Sequence, residues 1–226
     1  MNILFEDLGI IEYEKAWEYQ RSCHQSIVEA KVHHDKIHAL YRLLFCEHPH
    51  VYTLGKSGQE TNLLVNPDYL KSIGAAFYKT DRGGDITYHG PGQLVGYPII
   101  NLEQMKMGIK LYIHNLEECI ILALKDFKIT SARMPEATGV WLDTMKKEKA
   151  RKICAIGVRV SRYVTMHGFA LNVNTDLKYF SYINPCGLMD KGVTSMEKEL
   201  GNRIRMEDVR KSFRKHFCRI FDVTES

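Results

Sequence analysis

The stretch RGGDITYHGPGQLVGYPII, residues 82–100, decides what kind of fold this chain can have. Glycines at 83, 84, 90 and 92 let the backbone approach a ligand closely and expose its amide donors. Asp85, Thr87, His89 and Gln93 set polar groups among them. The apolar run Leu94 to Ile100 then reads as a buried strand. A phosphate-binding P-loop is excluded, because GxxxxGK followed by Ser or Thr is missing. The dinucleotide fingerprint is excluded too, since it needs a helix after its glycines and a strand comes instead. Glycine-rich surface loops are common, but one that feeds straight into a buried strand reads as a pocket rim.

Upstream, residues 12–31 read as a helix, with Tyr13, Ala16, Trp17, Ile27 and Ala30 at helical spacing. Residues 40–46 and 50–54 are expected strands broken by Pro49, residues 55–66 a polar loop, and residues 76–80 another strand. Downstream, a helix over 108–127 carries Tyr112, Ile113, Leu116, Ile120, Leu124 and Phe127 on one stripe. Strands are expected at 139–143, 152–160 and 164–173, the last two joined by a tight turn near Ser161 and Arg162. Thr194 and Glu197 have the spacing of a capping box that opens a short helix stopped by Gly201. A last amphipathic helix carries Val209, Phe213, Phe217 and Ile220. This order predicts an α+β fold, with a mixed, largely antiparallel sheet flanked by helices, as a single domain over residues 1–226.

Composition narrows the class. Hydrophobic residues at 45% and charged residues at 26% suit a globular chain that buries its own core. A run of about eighteen apolar residues is missing, and the N-terminus lacks the basic-then-apolar pattern of a secretory signal, so a cytoplasmic protein without a membrane partner is expected. The net charge of +4 is too small to announce a nucleic-acid binder. The basic segments Lys146 to Lys152 and Arg203 to Arg219 read as solvated surface, with an acidic partner as the sharper alternative. Six cysteines, at 23, 46, 119, 154, 186 and 218, contain no CxxC pair, which argues against a structural zinc or a redox dithiol. His33, His34 and His38, and the pair His48 and His50, lack partners that would complete a metal set, so no metal is expected.

Two further segments carry chemistry. RKICAIGVRV, residues 151–160, read as an alternating strand, puts Lys152 and Cys154 on one face and Ile153 and Ala155 on the other. Apolar neighbours would bury Lys152 and lower its pKa, although a strand-end lysine more often snorkels to solvent. In INPCGL, residues 183–188, Pro185 and Gly187 mark a turn with Cys186 at its apex, away from any periodic apolar face. A reactive thiolate needs a nearby cation, and Lys152 is the candidate if the fold brings strand and loop together.

These segments resemble the lipoyl(octanoyl) transferases of lipoate synthesis. Residues 82–99, 152–173 and 183–188 match that family's signature stretches in order. The resemblance implies the fold of biotin and lipoate protein ligases, Lys152 as catalytic lysine and Cys186 as nucleophile. It implies a substrate pocket built from Arg82, Gly83, Gly84, Asp85, Ile86, Thr87, Tyr88 and His89. Ala155, Ile156, Gly157, Gly168, Phe169 and Ala170 would complete it. His89 and His167 stand evenly between auxiliary and structural histidines. The chain departs from the pattern at Cys154, normally a small apolar residue, and a packing substitution explains it best. The implied donor is octanoyl-acyl carrier protein. The implied acceptor is a lysine of lipoyl domains, in 2-oxoacid dehydrogenases or the glycine cleavage H protein, with a Cys186 thioester between them. No cofactor is implied, and a monomer is the expected state. The rivals are an ATP-dependent lipoate ligase and a non-catalytic module that binds lipoyl domains.

Overall fold

The computed structural model describes residues 1–32, 41–135, 137–184 and 191–226. Its strands and helices in chain order are β1 (Asn2–Ile10), α1 (Tyr13–Val32), β2 (Tyr41–Glu47), β3 (Val51–Leu54), α2 (Pro67–Ser72), β4 (Ala76–Lys79), β5 (Ile86–His89) and β6 (Gln93–Ile99). Then come α3 (Ile109–Asp126), β7 (Ala132–Met134), β8 (Ala137–Leu142), β9 (Arg151–Ser161), β10 (Val164–Asn172), β11 (Gly192–Val193), α4 (Met196–Leu200), α5 (Met206–Phe221) and β12 (Thr224–Glu225).

The two most continuously apolar runs become the centre of the sheet. Every residue of β6 and of β10 is buried, as expected for strands covered on both faces. Among the described residues the larger sheet has nine strands, in the order β12-β1-β2-β6-β10-β9-β8-β7, with β11 added on β9. The joins of β1 to β2, β1 to β12 and β11 to β9 are parallel and the remaining joins antiparallel. A smaller sheet, β4-β3-β5, stands beside it. The stripe on α3 (Tyr112, Leu116, Ile120, Leu124) is fully buried, and with Phe213 and Phe217 of α5 it joins the main core. Among the described residues no helix is long and apolar enough to cross a membrane.

Three local expectations need correction. The N-cap of α4 is Ser195, whose hydroxyl accepts the Lys198 N–H at 3.2 Å. Thr194 still belongs to the strand side, because its N–H donates to the Lys152 carbonyl at 3.0 Å, so the helix starts one residue later. The β9–β10 turn is centred on Arg162 and Tyr163, both left-handed at φ 51° and 64°, as a two-residue hairpin loop requires. The third correction, to the alternation in β9, shapes the site itself. His33, His34 and His38 lie outside the described residues.

Candidate active site

Lys152 reaches the pocket through a slip in strand register. Val140 pairs with Cys154 while the next residue, Trp141, pairs with Lys152, so β9 carries one residue more than β8 across this step. Such a bulge breaks the alternation of faces. Ile153 and Cys154 are therefore both fully buried in the main core, and Lys152 and Ala155 both line a cavity of about 480 Å³. The expectation that Lys152 and Cys154 share a face is overturned by this bulge.

The bulge has its own support. Gly139 adopts φ 120°, and a Cβ there would stand 2.5 Å from the Cys154 carbonyl oxygen, so the position demands glycine. Its N–H donates to Glu117 Oε1 at 2.9 Å, and the other oxygen of Glu117 pairs with Arg133 Nε at 3.1 Å. Lys152 Nζ lies 4.6 Å from the centroid of the Trp141 ring. Burial lowers the Lys152 pKa to about 8, with a smaller opposite effect from Cys154. A neutral amine is thus accessible near physiological pH.

The glycine-rich segment forms the facing wall. Arg82 is buried and donates from Nε and Nη2 to Thr53 Oγ1 at 3.2 and 2.9 Å, from Nη2 to the Thr53 carbonyl at 2.6 Å, and from Nη1 to the Gly83 carbonyl at 3.0 Å. Gly83 donates its N–H to the Val158 carbonyl at 2.9 Å and so stitches this segment to β9. Arg82, Gly84, Asp85, Ile86, Thr87 and His89 line the cavity, together with Ala155, Ile156, Gly157, Gly168, Phe169 and Ala170. Gly83 and Tyr88 stand behind the wall. Tyr88 is buried against Tyr52 and Tyr179 and shares a hydrogen bond of 2.8 Å with His50 Nδ1.

The two histidines have separate surroundings. Burial pushes His89 down to about 3, so its ring is neutral. Its Nδ1 lies 2.9 Å from Gln93 Oε1, and the Gln93 amide donates to Asn172 Oδ1 at 2.9 Å. Asn172 in turn donates to the Thr194 carbonyl at 3.0 Å, so the network runs from the glycine-rich wall to the neighbourhood of Lys152. His167 sits at the other end of the cavity. It pairs with Val158 of β9, six residues from Lys152 (158 − 152), which is roughly 20 Å along a strand. A direct proton exchange between His167 and Lys152 is ruled out by that separation.

Cys186 lies outside the described residues. Both flanks of its segment line the cavity, Ile183 and Asn184 before it and Lys191 to Val193 after it. Asn184 is tied by its N–H to the Asn62 carbonyl at 2.8 Å, and Gly192 and Val193 pair in parallel with Arg151 and Lys152. Sequence reasoning missed Trp141, Asn172 and Tyr97 as cavity residues. Asn172, a polar side chain closing an apolar strand, was the one with a readable signal. Among the described residues no group of three His, Cys, Asp or Glu side chains could hold a metal ion.

A mixed sheet carrying a half-buried lysine on one wall and a glycine-rich segment on the other defines a domain of the lipoate and biotin ligase fold. The bi-partite lipoate protein ligase of Thermoplasma acidophilum superposes with a TM-score of 0.72 at 16% identity, over 100% of this chain and 86% of that one. The biotin protein ligase of Aquifex aeolicus superposes with a TM-score of 0.51 at 11% identity, over 98% and 69%. A Bacteroides fragilis protein named octanoyltransferase is 54% identical over 210 residues, 93% of this chain and 94% of that relative. The model of the lipoyl protein ligase A/B catalytic domain matches residues 12–218, and the chain belongs to this family.

Proposed function

We propose that the chain transfers an octanoyl group to a lysine of lipoyl domains in lipoate biosynthesis, taking it from octanoyl-acyl carrier protein through a thioester on Cys186. Lys152 removes the thiol proton, and the thiolate attacks the donor thioester. The tetrahedral intermediate collapses, and the pantetheine thiol leaves with the proton that Lys152 returns. The acceptor lysine, as a neutral amine, then attacks the Cys186 thioester. Its surplus proton passes by way of Lys152 to the departing Cys186 thiolate, and an amide remains. Thioester to amide is downhill, so the reaction needs no nucleotide. The whole chain acts as one catalytic domain, a monomer in the cytoplasm.

The observation that carries this reading is that the described flanks on either side of residues 185–190 line the cavity. Their downstream flank is hydrogen-bonded to Lys152 itself, through Thr194 N–H at 3.0 Å. Cys186 is two steps along the chain, at most about 7 Å, from the cavity residue Asn184. A cavity of about 480 Å³ falls within the range of small-molecule sites, about 300–1,000 Å³. Each methylene it buries contributes about 0.8 kcal/mol to holding an acyl chain.

Incubation with octanoyl-acyl carrier protein followed by intact mass measurement tests the reading. The expected product is a single octanoyl adduct, lost on Cys186→Ala. A native chain that never acquires the adduct, or an adduct that survives that substitution, overturns it. Activity that requires ATP and persists without Cys186 would point to the adenylate chemistry of a ligase instead.

A further inference from the structure

A lysine amine stands at the end of four methylenes, and its use as a base depends on what holds it. A carboxylate would hold it firmly but would also keep it protonated. Among the described residues no carboxylate pairs with Lys152, and Cys154 is the ionisable group that acts on it. What the ammonium does meet is the ring of Trp141, with Nζ 4.6 Å from the centroid. We infer that Trp141 is the positioning residue for Lys152: the indole face holds the amine at the cavity wall, and Glu117, acting through Gly139, fixes the strand that presents the indole.

Four observations converge on this arrangement. The register slip makes Trp141 and Lys152 direct partners across β8 and β9, so both side chains stand on the same face. Trp141 is fully buried and donates its Nε1–H to the Ala137 carbonyl at 2.9 Å, which fixes the plane of the ring. Two residues before it, Gly139 is pinned to Glu117 by the 2.9 Å hydrogen bond. A Cβ on Gly139 would come within 3.6 Å of Lys152 Cε, so the lysine stem lies directly over that backbone.

An aromatic face attracts a cation through its quadrupole and accepts no proton from it. Trp141 therefore opposes, in part, the pressure of burial to discharge Lys152, and it leaves the amine free to give up its proton when substrate arrives. The other groups around Lys152 do not compete for that role. Cys154 is turned into the core, the Glu117 carboxylate is shared by the Gly139 amide and Arg133, and β10 presents the uncharged Asn172. Lys191, from the segment that leads into β11, brings only like charge to the same cavity.

The inference rests on the proposed reading of Lys152 as the base, and its test separates the two. Fluorinated tryptophans placed at position 141 by nonsense suppression weaken the quadrupole step by step and hardly change the ring's shape. The Lys152 pKa is read directly by NMR in protein labelled with 13C-lysine, the signal being assigned by its loss in Lys152→Met. The expected result is a stepwise fall of the pKa, by about half a unit to one unit across the series. The acid limb of the transfer rate should move with it. A pKa that stays constant across the series overturns the inference, since a merely structural indole would be indifferent to fluorine. A pKa that falls while the acid limb stays in place supports the Trp141 platform and overturns the assignment of Lys152 as base.

Discussion

Asp81 Oδ1 and His167 Nε2 are joined by a hydrogen bond of 2.8 Å, and the second Asp81 oxygen is held by Arg159 at 2.6 Å. The hydrogen bond from His167 is foremost among the effects that keep the Asp81 carboxyl below its ordinary pKa, so the carboxylate accepts and Nε2 carries the hydrogen. His167 is itself unusual, with φ 56° inside a strand, a conformation supported by its N–H donating to Gln20 Oε1 at 2.9 Å. Strain of this kind persists where the surroundings over-determine it. Replacement Asp81→Asn removes the charge, leaves Arg159 without its partner and frees the imidazole tautomer. The expected cost is about 1–3 kcal/mol of stability in urea unfolding. Because His167 is far from Lys152 in the cavity, KM for the octanoyl donor should rise several-fold with kcat nearly unchanged. A large fall in kcat alone would contradict that placement.

Acid should destabilise the fold well before carboxylates titrate. Burial holds His89 at about 3 and His48 at about 4, whereas both titrate near 6.5 when unfolded. Between these values the unfolded chain binds protons that the folded chain refuses, so stability falls as pH falls. The expected slope is about 1.4 kcal/mol per pH unit for each histidine, or about 2.7 for the two between pH 6.5 and 4. Urea midpoints at pH 7, 6 and 5 measure it. A flat profile would mean that these rings are not buried in the neutral form.

Lys152 should be a liability for stability and an asset for catalysis. Its pKa is lowered by burial to about 8 in the fold, against about 10.4 in an unfolded chain. Below pH 8 both states are protonated and the folded state bears the cost of the partly buried charge. That cost fades as pH rises through the interval between the two values. Lys152→Met should therefore stabilise the chain at pH 7 by on the order of 1–3 kcal/mol, with the gain shrinking toward pH 10. Transfer activity should fall by about 10²–10⁴-fold, the usual worth of a positioned acid–base group. Calorimetry across pH together with single-turnover rates decides both halves.

Much of this site was legible because its signals are local. The strand after the glycine-rich segment, the 109–126 helix and the β9–β10 hairpin each follow from patterns within about twenty residues. The illegible parts depend on a partner strand. Nothing in RKICAIGVRV announces that β8 will slip by one residue and move Lys152 away from Cys154, because the cause is the backbone of Gly139 and its bond to Glu117 on α3. Tyr88 and Thr87 look equally available in the sequence. Only the pairing of β5 with β3 decides that Tyr88 is spent on an aromatic cluster with Tyr52 and Tyr179. β1 escaped notice because Asn2, Glu6 and Asp7 interrupt its apolar residues. Ile3 is its one buried residue, and pairing with β2 and β12 holds the strand in place where its own sequence does not advertise it.

The bulge also yields a prediction about thiols. Cys46, Cys119 and Cys154 are almost wholly buried, and burial raises the pKa of each, so they stay protonated as well as inaccessible. Cys23 is buried too, Cys218 is half-buried, and burial raises both. Alkylation requires a thiolate within reach of reagent. With iodoacetamide at pH 7, Cys186 should therefore react first, and octanoyl donor should protect it. If Lys152 favours the thiolate, Lys152→Met should slow that reaction several-fold while labelling of Cys218 is unaffected. Cys154 should react only at the rate of global unfolding, because its side chain belongs to the core and not to the cavity. Peptide mapping by mass spectrometry at a series of quench times distinguishes the sites. Rapid native labelling of Cys154 would mean that the strand does not carry the bulge, and the choice of nucleophile would pass to that thiol.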